Sequence, residues 1–294
     1  MKKSNKIVIS ASRRTDIPAF YMEWFMAGID QGFFEVQNPY SKAMHKVPAT
    51  REAVHSIVFW SKDYSRFLEK GYGTTLTQAG YHLFFHFTIN SESPLLEPRT
   101  PPLDLRLKQL GQLAELFGPK AITWRFDPIC YYRAGNRSGH NLGDLEKIAD
   151  KAAACGVTRC VTSFVDVYRK IVTRTGAMGN FSFTPMEPMR QAEILVSMHD
   201  ILGDRGISLH TCCEKSVQDG LPKNSGIRPH ACIDHHLLEE LFGPGLSGKR
   251  DKGQRGPQGC GCMESRDVGS YALHPCPHSC LYCYANPARD SGRS

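Results

Sequence analysis

His82-Leu-Phe-Phe-His-Phe-Thr-Ile89, Leu103-Asp-Leu-Arg-Leu-Lys-Gln-Leu-Gly-Gln-Leu-Ala-Glu-Leu-Phe117 and Ala121-Ile-Thr-Trp-Arg-Phe126 follow one another along the chain. The first and third segments are rich in β-branched and aromatic residues, the composition of buried strands. The second carries Leu103, Leu107, Leu110, Leu113, Ala114 and Phe117 at helical spacing and is closed by Gly118 and Pro119. A strand, a helix and a second strand in this order form the crossover that lays two parallel strands side by side beneath a helix.

The same alternation extends in both directions. Strand-like segments recur at residues 6–12, 56–60, 158–165 and 207–212, and Phe-Glu-Val-Gln at 34–37 is either a further strand or part of a loop. Helical stripes run through residues 19–29, 142–154, 187–201 and 235–242. This pattern predicts a (β/α) barrel or partial barrel of about six parallel strands, and one such barrel would use most of 294 residues. Beyond Phe242 the composition turns to glycine and basic residues. We therefore expect a barrel domain over residues 1–242 and, over 243–294, a linker with a cysteine-rich segment that folds back on it.

Composition narrows the function classes. Hydrophobic residues make up 41% of the chain, and no stretch approaches the roughly 20 apolar residues of a membrane helix. The basic start, Met1 to Lys6, is followed only by Ile7-Val8-Ile9 before Ser10, so nothing directs export and a cytoplasmic location is expected. In a reducing compartment clustered thiols serve metals or catalysis more readily than disulfides. The net charge of +7 permits an anionic or nucleic-acid partner, but it is spread along the chain without a Lys/Arg-rich run.

Five of the 11 cysteines fall between Cys260 and Cys283. In Cys276-Pro-His-Ser-Cys280-Leu-Tyr-Cys283, a C-x3-C-x2-C spacing can bring three thiolates to three corners of a [4Fe-4S] cluster, leaving the fourth iron open to an exogenous ligand. This loop resembles that of the radical S-adenosylmethionine superfamily, with Tyr282 at the aromatic position before the third cysteine. The run Cys280-Leu-Tyr-Cys283-Tyr is also similar to the cluster loop of spore photoproduct lyases.

The resemblance implies an oxygen-sensitive enzyme. Cys276, Cys280 and Cys283 would ligate the cluster, S-adenosylmethionine would bind the open iron, and Tyr282 would lie near the adenine. A donor such as flavodoxin or ferredoxin would supply the electron, and a 5′-deoxyadenosyl radical would take hydrogen from a nucleic acid, a peptide or a metabolite. Superfamily members usually carry the loop after the first strand, whereas here it follows all six. The whole chain resembles an uncharacterised bacterial family, a domain of unknown function that pairs Ser-Arg-Arg-Thr-Asp near its start with Cys-Tyr-Ala near its end. That likeness implies a permuted barrel with the C-terminal loop returned to its mouth.

A second thiol set, Cys212, Cys232, Cys260 and Cys262, is a candidate for an auxiliary [4Fe-4S] cluster or a structural zinc, with buried free thiols as the plain alternative. Strand alternation lets only one of Cys212 and Cys213 face such a site, and the family resemblance favours Cys212. Cys130, Cys155 and Cys160 sit in apolar contexts expected of the core.

Among polar residues at strand ends, Arg13, Arg14, Asp16, Arg125 and Asp127 are candidates to grip a carboxylate or phosphate, or else to pair and fix their loops. His82 and His86 share a strand face and are expected to be structural, Phe84 to Phe87 to be core, and Asp234 to cap a helix. The competing functional class is a zinc-binding nucleic-acid or protein interaction module on a non-catalytic barrel, with His274 or His278 completing a set of three cysteines.

Overall fold

A computed structural model describes residues 6–38, 41 and 43–285. The basic run at residues 1–5 and the end of the chain after 285 lie outside the described residues. The strands are β1 (Ile7–Ala11), β2 (Phe33–Gln37), β3 (Met44–Pro48), β4 (Val54–Ser61), β5 (His82–Thr88), β6 (Ile122–Ile129), β7 (Tyr131–Ala134), β8 (Arg137–His140), β9 (Arg159–Phe164), β10 (Phe181–Phe183), β11 (Ser208–Thr211), β12 (Arg228–Pro229) and β13 (Arg266–Asp267). The α-helices are α1 (Ile17–Phe20), α2 (Met22–Gln31), α3 (Ser65–Glu69), α4 (Tyr72–Gln78), α5 (Leu103–Phe117), α6 (Leu145–Ala154), α7 (Arg169–Gly176), α8 (Pro188–Gly203), α9 (Lys215–Gln218) and α10 (His235–Phe242).

Eight strands form one parallel sheet in the order β12-β11-β9-β6-β5-β4-β1-β13. Its six longer strands are those expected from the sequence, and they lie side by side in chain order, as successive crossovers produce. The segment at 34–37 pairs with β3 in a separate antiparallel ribbon. The two-residue strands β12 and β13 occupy the edges, and β13 brings the C-terminal segment alongside β1 through Ile9 with Arg266 and Ser10 with Asp267. The cysteine-rich tail therefore contributes a strand to the sheet that its predecessors build.

Side chains alternate along each strand, and the two faces of the sheet are covered differently. One face presents Ile9, Ile57, Phe59, Phe85, Phe87, Trp124 and Phe126 to the helices, where they pack with Phe25, Phe67, Leu110, Leu113, Ile148, Leu195 and Met198. The other face buries Val8, Val58 and Phe84 against Ile233 and Leu238, so α10 covers it. His82 stacks on Phe242 of α10 with ring centroids 5.0 Å apart, and His86 lies on the same face, as their spacing requires. This second face also carries Ser10, Ser12 and Arg125, and it leads to the thiols.

The helical stripe of α5 is buried as its periodicity predicts, and Gly118 ends the helix at φ +82°. Asp234 caps α10 by accepting from the backbone N–H groups of His236 and Leu237. The helix expected over 19–29 is two helices that meet at Tyr21, the first capped by Asp16. Among the described residues no helix is long and apolar enough to cross a membrane.

Candidate functional site

Both thiol sets sit just past the carboxyl ends of the parallel strands, the face where α/β folds place their sites. Residues 275–283 form a loop fixed from several elements. Tyr21 at the α1–α2 junction donates its hydroxyl to the Pro275 carbonyl at 2.5 Å. Asp16, beyond β1, accepts from Ser61 Oγ at 2.7 Å and from the Lys62 backbone N–H at 2.8 Å, and it pairs with His278 Nε2 at 2.9 Å. The other ring nitrogen of His278 faces the Arg99 carbonyl. Arg174 of α7 donates one nitrogen to the carbonyls of Cys280, Leu281 and Cys283 at 2.9, 2.8 and 3.0 Å. Ser279 takes a left-handed conformation with φ +57°, which curls the chain between the first two cysteines.

A buried ionic group lies under this loop. Glu97 accepts from Lys62 Nζ at 3.0 Å and from the Tyr282 hydroxyl, and Arg106 stands 3.8 Å away. Asn90 donates to both Glu97 and the Tyr282 oxygen. Burial alone would raise the Glu97 pKa, but Lys62 and Arg106 outweigh it and hold the carboxyl at about 2. The aromatic ring of Tyr282 is thus locked by its hydroxyl, with the Lys62 ammonium 5.3 Å from the ring centre.

The thiols of Cys276, Cys280 and Cys283 lie close enough to feel one another's charge. Burial pushes the Cys276 thiol up to about 12, with Asp16 adding to the effect, and burial raises Cys280 and Cys283 as well. Lys62 opposes the rise at Cys280 and Cys283, and Arg174 does so at Cys283. Three thiols within electrostatic reach of one another and flanked by two cations could hold an iron-sulfur group, whose binding would displace the thiol protons. Both ring nitrogens of His278 are engaged, whereas His274 packs its ring on Trp24 at 4.2 Å and its buried Nδ1 has no hydrogen-bond partner.

The second set is larger than its sequence suggested. Cys212 Sγ lies 3.5 Å from Cys232 Sγ and 3.8 Å from Cys213 Sγ. Cys232 neighbours Cys262, Cys262 neighbours Cys260, and Cys260 neighbours Cys213, each close enough to shift the other's titration, which completes a ring of five thiols. The alternation argument that admitted only one of Cys212 and Cys213 fails because β11 ends at Thr211 and Cys213 adopts φ +63°, turning its thiol back to the side of its neighbour. Hydrogen bonds from Cys212 and Cys262, with Arg125 adding, draw Cys232 below the usual thiol value despite its burial. Among the described residues no three His, Cys, Asp or Glu side chains stand around a common point as they would with an ion bound.

The strand-end residues divide between these sets. Asp16 serves the first loop through His278. Arg125 belongs to the ring, donating to Cys232 Sγ at 3.1 Å and to Asp127 Oδ2 at 2.5 Å, while Ser163 holds the other Asp127 oxygen. Arg13 lies over Trp60 and donates to Ser265, and Arg14 donates to the Gly269 carbonyl at 2.9 Å. Each of these arginines therefore fixes the returning C-terminal segment. His86, which burial lowers to about 3 and keeps neutral, bonds the Cys232 carbonyl at 2.8 Å. Cys130 and Cys160 are fully buried in apolar surroundings and Cys155 is partly buried against the core, as expected.

Asn90 is a polar strand-end residue of the kind expected at this face, whereas Lys62, Glu97, Arg106 and Arg174 carry no signal in the sequence. Each is an isolated polar residue outside any motif, and only the fold brings it to the loop. Gly269 is a further such position, because a Cβ there would fall inside the envelope of Ser12 Oγ. Ser12 donates to Asp267 at 2.7 Å and accepts from the Arg14 backbone N–H at 2.9 Å. Gly269→Ala is expected to cost about 1–3 kcal/mol by overpacking, read as a lower midpoint in urea unfolding. An unchanged midpoint would mean that the segment after β13 is not seated against β1.

No curated protein matches the chain. Thirteen chains among solved structures match it. One, titled "Molecular Structure of D-Hydantoinase from a Bacillus sp. AR9: Evidence for mercury inhibition", is 15% identical with a TM-score of 0.30, over 60% of this chain. The aligned part spans 38% of that protein's length. The family model described as a domain of unknown function, DUF1848, matches residues 8–285, and the chain belongs to that family.

Proposed function

We propose that this protein is a radical S-adenosylmethionine enzyme built on a partial (β/α) barrel. The observation that carries the proposal is the half-buried loop at 275–283, whose three C-x3-C-x2-C thiols lie within electrostatic reach of one another beyond the carboxyl ends of the strands. When bound there, a [4Fe-4S] cluster with S-adenosylmethionine supplies the one-electron cleavage that yields methionine and a 5′-deoxyadenosyl radical. The chain's own contribution is to bind, orient and exclude. Cys276, Cys280 and Cys283 would ligate the cluster, and Lys62 and Arg174 would offset the negative charge of the thiolates. The Tyr282 hydroxyl is held by Glu97 and Asn90, which fixes the ring that the superfamily resemblance places beside the adenine.

Meeting of the two edge regions of the sheet supports the barrel: Cys232 follows β12, Cys262 precedes β13, and the Met263 backbone N–H donates to the Ile233 carbonyl at 2.9 Å. A cytoplasmic setting and a flavodoxin- or ferredoxin-type donor belong to the same proposal, and the net charge of +7 favours an anionic substrate. Anaerobic protein loaded with iron and sulfide should be brown and, after dithionite reduction, should convert S-adenosylmethionine to equal amounts of methionine and 5′-deoxyadenosine. Fully loaded protein that forms neither, with or without added cell extract, would refute the radical chemistry.

A further inference from the structure

Five thiols from three separate parts of the chain meet in one closed ring: Cys212 and Cys213 after β11, Cys232 after β12, and Cys260 and Cys262 before β13. Two of its members, Cys212 and Cys262, are nearly inaccessible. Arg125 is aimed into the ring, donating to Cys232 Sγ, and is itself held by Asp127. A guanidinium pointed at a buried sulfur stabilises a thiolate there, and thiolates are what soft metals bind. The Cys212–Cys232 sulfur spacing of 3.5 Å compares with the roughly 3.8 Å edge of a tetrahedron whose metal–sulfur bonds are about 2.3 Å.

We propose that this ring is a second metal centre, separate from the loop at 275–283, in which Cys212, Cys232, Cys260 and Cys262 hold a thiophilic metal and clasp the two edges of the sheet together. Zinc and an iron-sulfur cluster share this ligand chemistry. On binding zinc, four thiols release protons to solvent or Arg125-stabilised thiolate enters directly, and no oxidation is involved. An iron-sulfur cluster would be assembled from four sulfides with two ferrous and two ferric ions by the formal charge of the cubane, so that no net oxidation is needed. The clasp follows from topology. β12 and β13 are two residues each and end opposite edges of the sheet, so little hydrogen bonding holds either edge, whereas Cys232 and Cys262 join the segments beside them. Cys213 is the fifth thiol of the ring and is not required as a ligand.

The centre shares no cysteine with the proposed catalytic loop, so the two can be tested apart. In the triple variant Cys276→Ala, Cys280→Ala, Cys283→Ala, purified anaerobically from metal-replete cells, elemental and sulfide analysis should find about one zinc, or about four irons with matching sulfide, per chain. The first result identifies zinc and the second a cluster. Adding Cys232→Ser should abolish that metal, whereas adding Cys155→Ala should leave it. Because a Cys232 variant can fail to fold, a chelator is applied to the triple variant itself. Removing the metal should lower Tm on the order of 10 °C and open residues 243–262 to protease. A triple variant without stoichiometric metal overturns the proposal, as does a mass two hydrogens short that marks a disulfide in its place. Metal removal that changes neither Tm nor cleavage overturns the clasp.

Discussion

Alanine at Cys276, Cys280 or Cys283 is expected to lower 5′-deoxyadenosine formation at least about 1000-fold while the protein stays folded. Each substitution removes one of only three protein thiolates in the loop, and an iron-sulfur group with two remaining ligands is not held. Folding should survive because the loop is fixed by other groups. Arg174 binds three carbonyls, Tyr21 binds Pro275, and His278 is tied to Asp16. Circular dichroism and Tm should therefore stay near those of the wild type, while product analysis by chromatography shows the loss. Cys155→Ala, at a partly buried thiol outside both sets, should keep full activity. A single variant that retains substantial cleavage would show that the three thiols do not act as one ligand set.

Glu97→Gln is expected to give the largest loss of stability, about 3–5 kcal/mol, because it leaves Lys62 and Arg106 buried without their counter-charge. The Tyr282 hydroxyl would lose its strongest partner at the same time. The pH dependence has a definite sign. Glu97 is held at about 2 in the folded protein against an ordinary value of 4.5. Its contribution is therefore fully present above pH 4.5 and lost as pH falls from there toward 2. Urea unfolding of the two proteins should show the full difference at neutral pH and a shrinking one in that acid window. Adding Lys62→Met to the Glu97→Gln variant should recover part of the loss, since it removes one of the two stranded cations. Equal stability of wild type and Glu97→Gln at neutral pH would refute the description of this buried group.

The three-thiol loop and the buried group beneath it differ in how they can be recognised. The spacing of Cys276, Cys280 and Cys283 is local, and a short loop brings such residues together whatever the rest of the chain does. Glu97 and Tyr282 are 185 residues apart, Arg174 and Cys280 106, and Asp16 and His278 262. No periodicity or spacing links members of such pairs, and Glu97 and Arg174 look like ordinary surface charges in sequence.

By itself the sequence determined the six long strands, the covering helices, the apolar stripe of α5, the Asp234 cap and the three-thiol loop, because these arise from side-chain periods of 2 and 3.6 and from short-range spacing. Only the tertiary structure decided that β12 and β13 exist, since two-residue strands carry no periodic signal and form only where a neighbouring edge offers partners. It also decided that Cys213 joins the ring, because a left-handed residue just past a strand escapes the alternation that governs the strand. The contacts of Arg13, Arg14 and Arg125 were likewise supplied by the tertiary structure. A guanidinium takes whichever acceptors the closed fold supplies, here the returning C-terminal segment for the first two and a cysteine sulfur for the third.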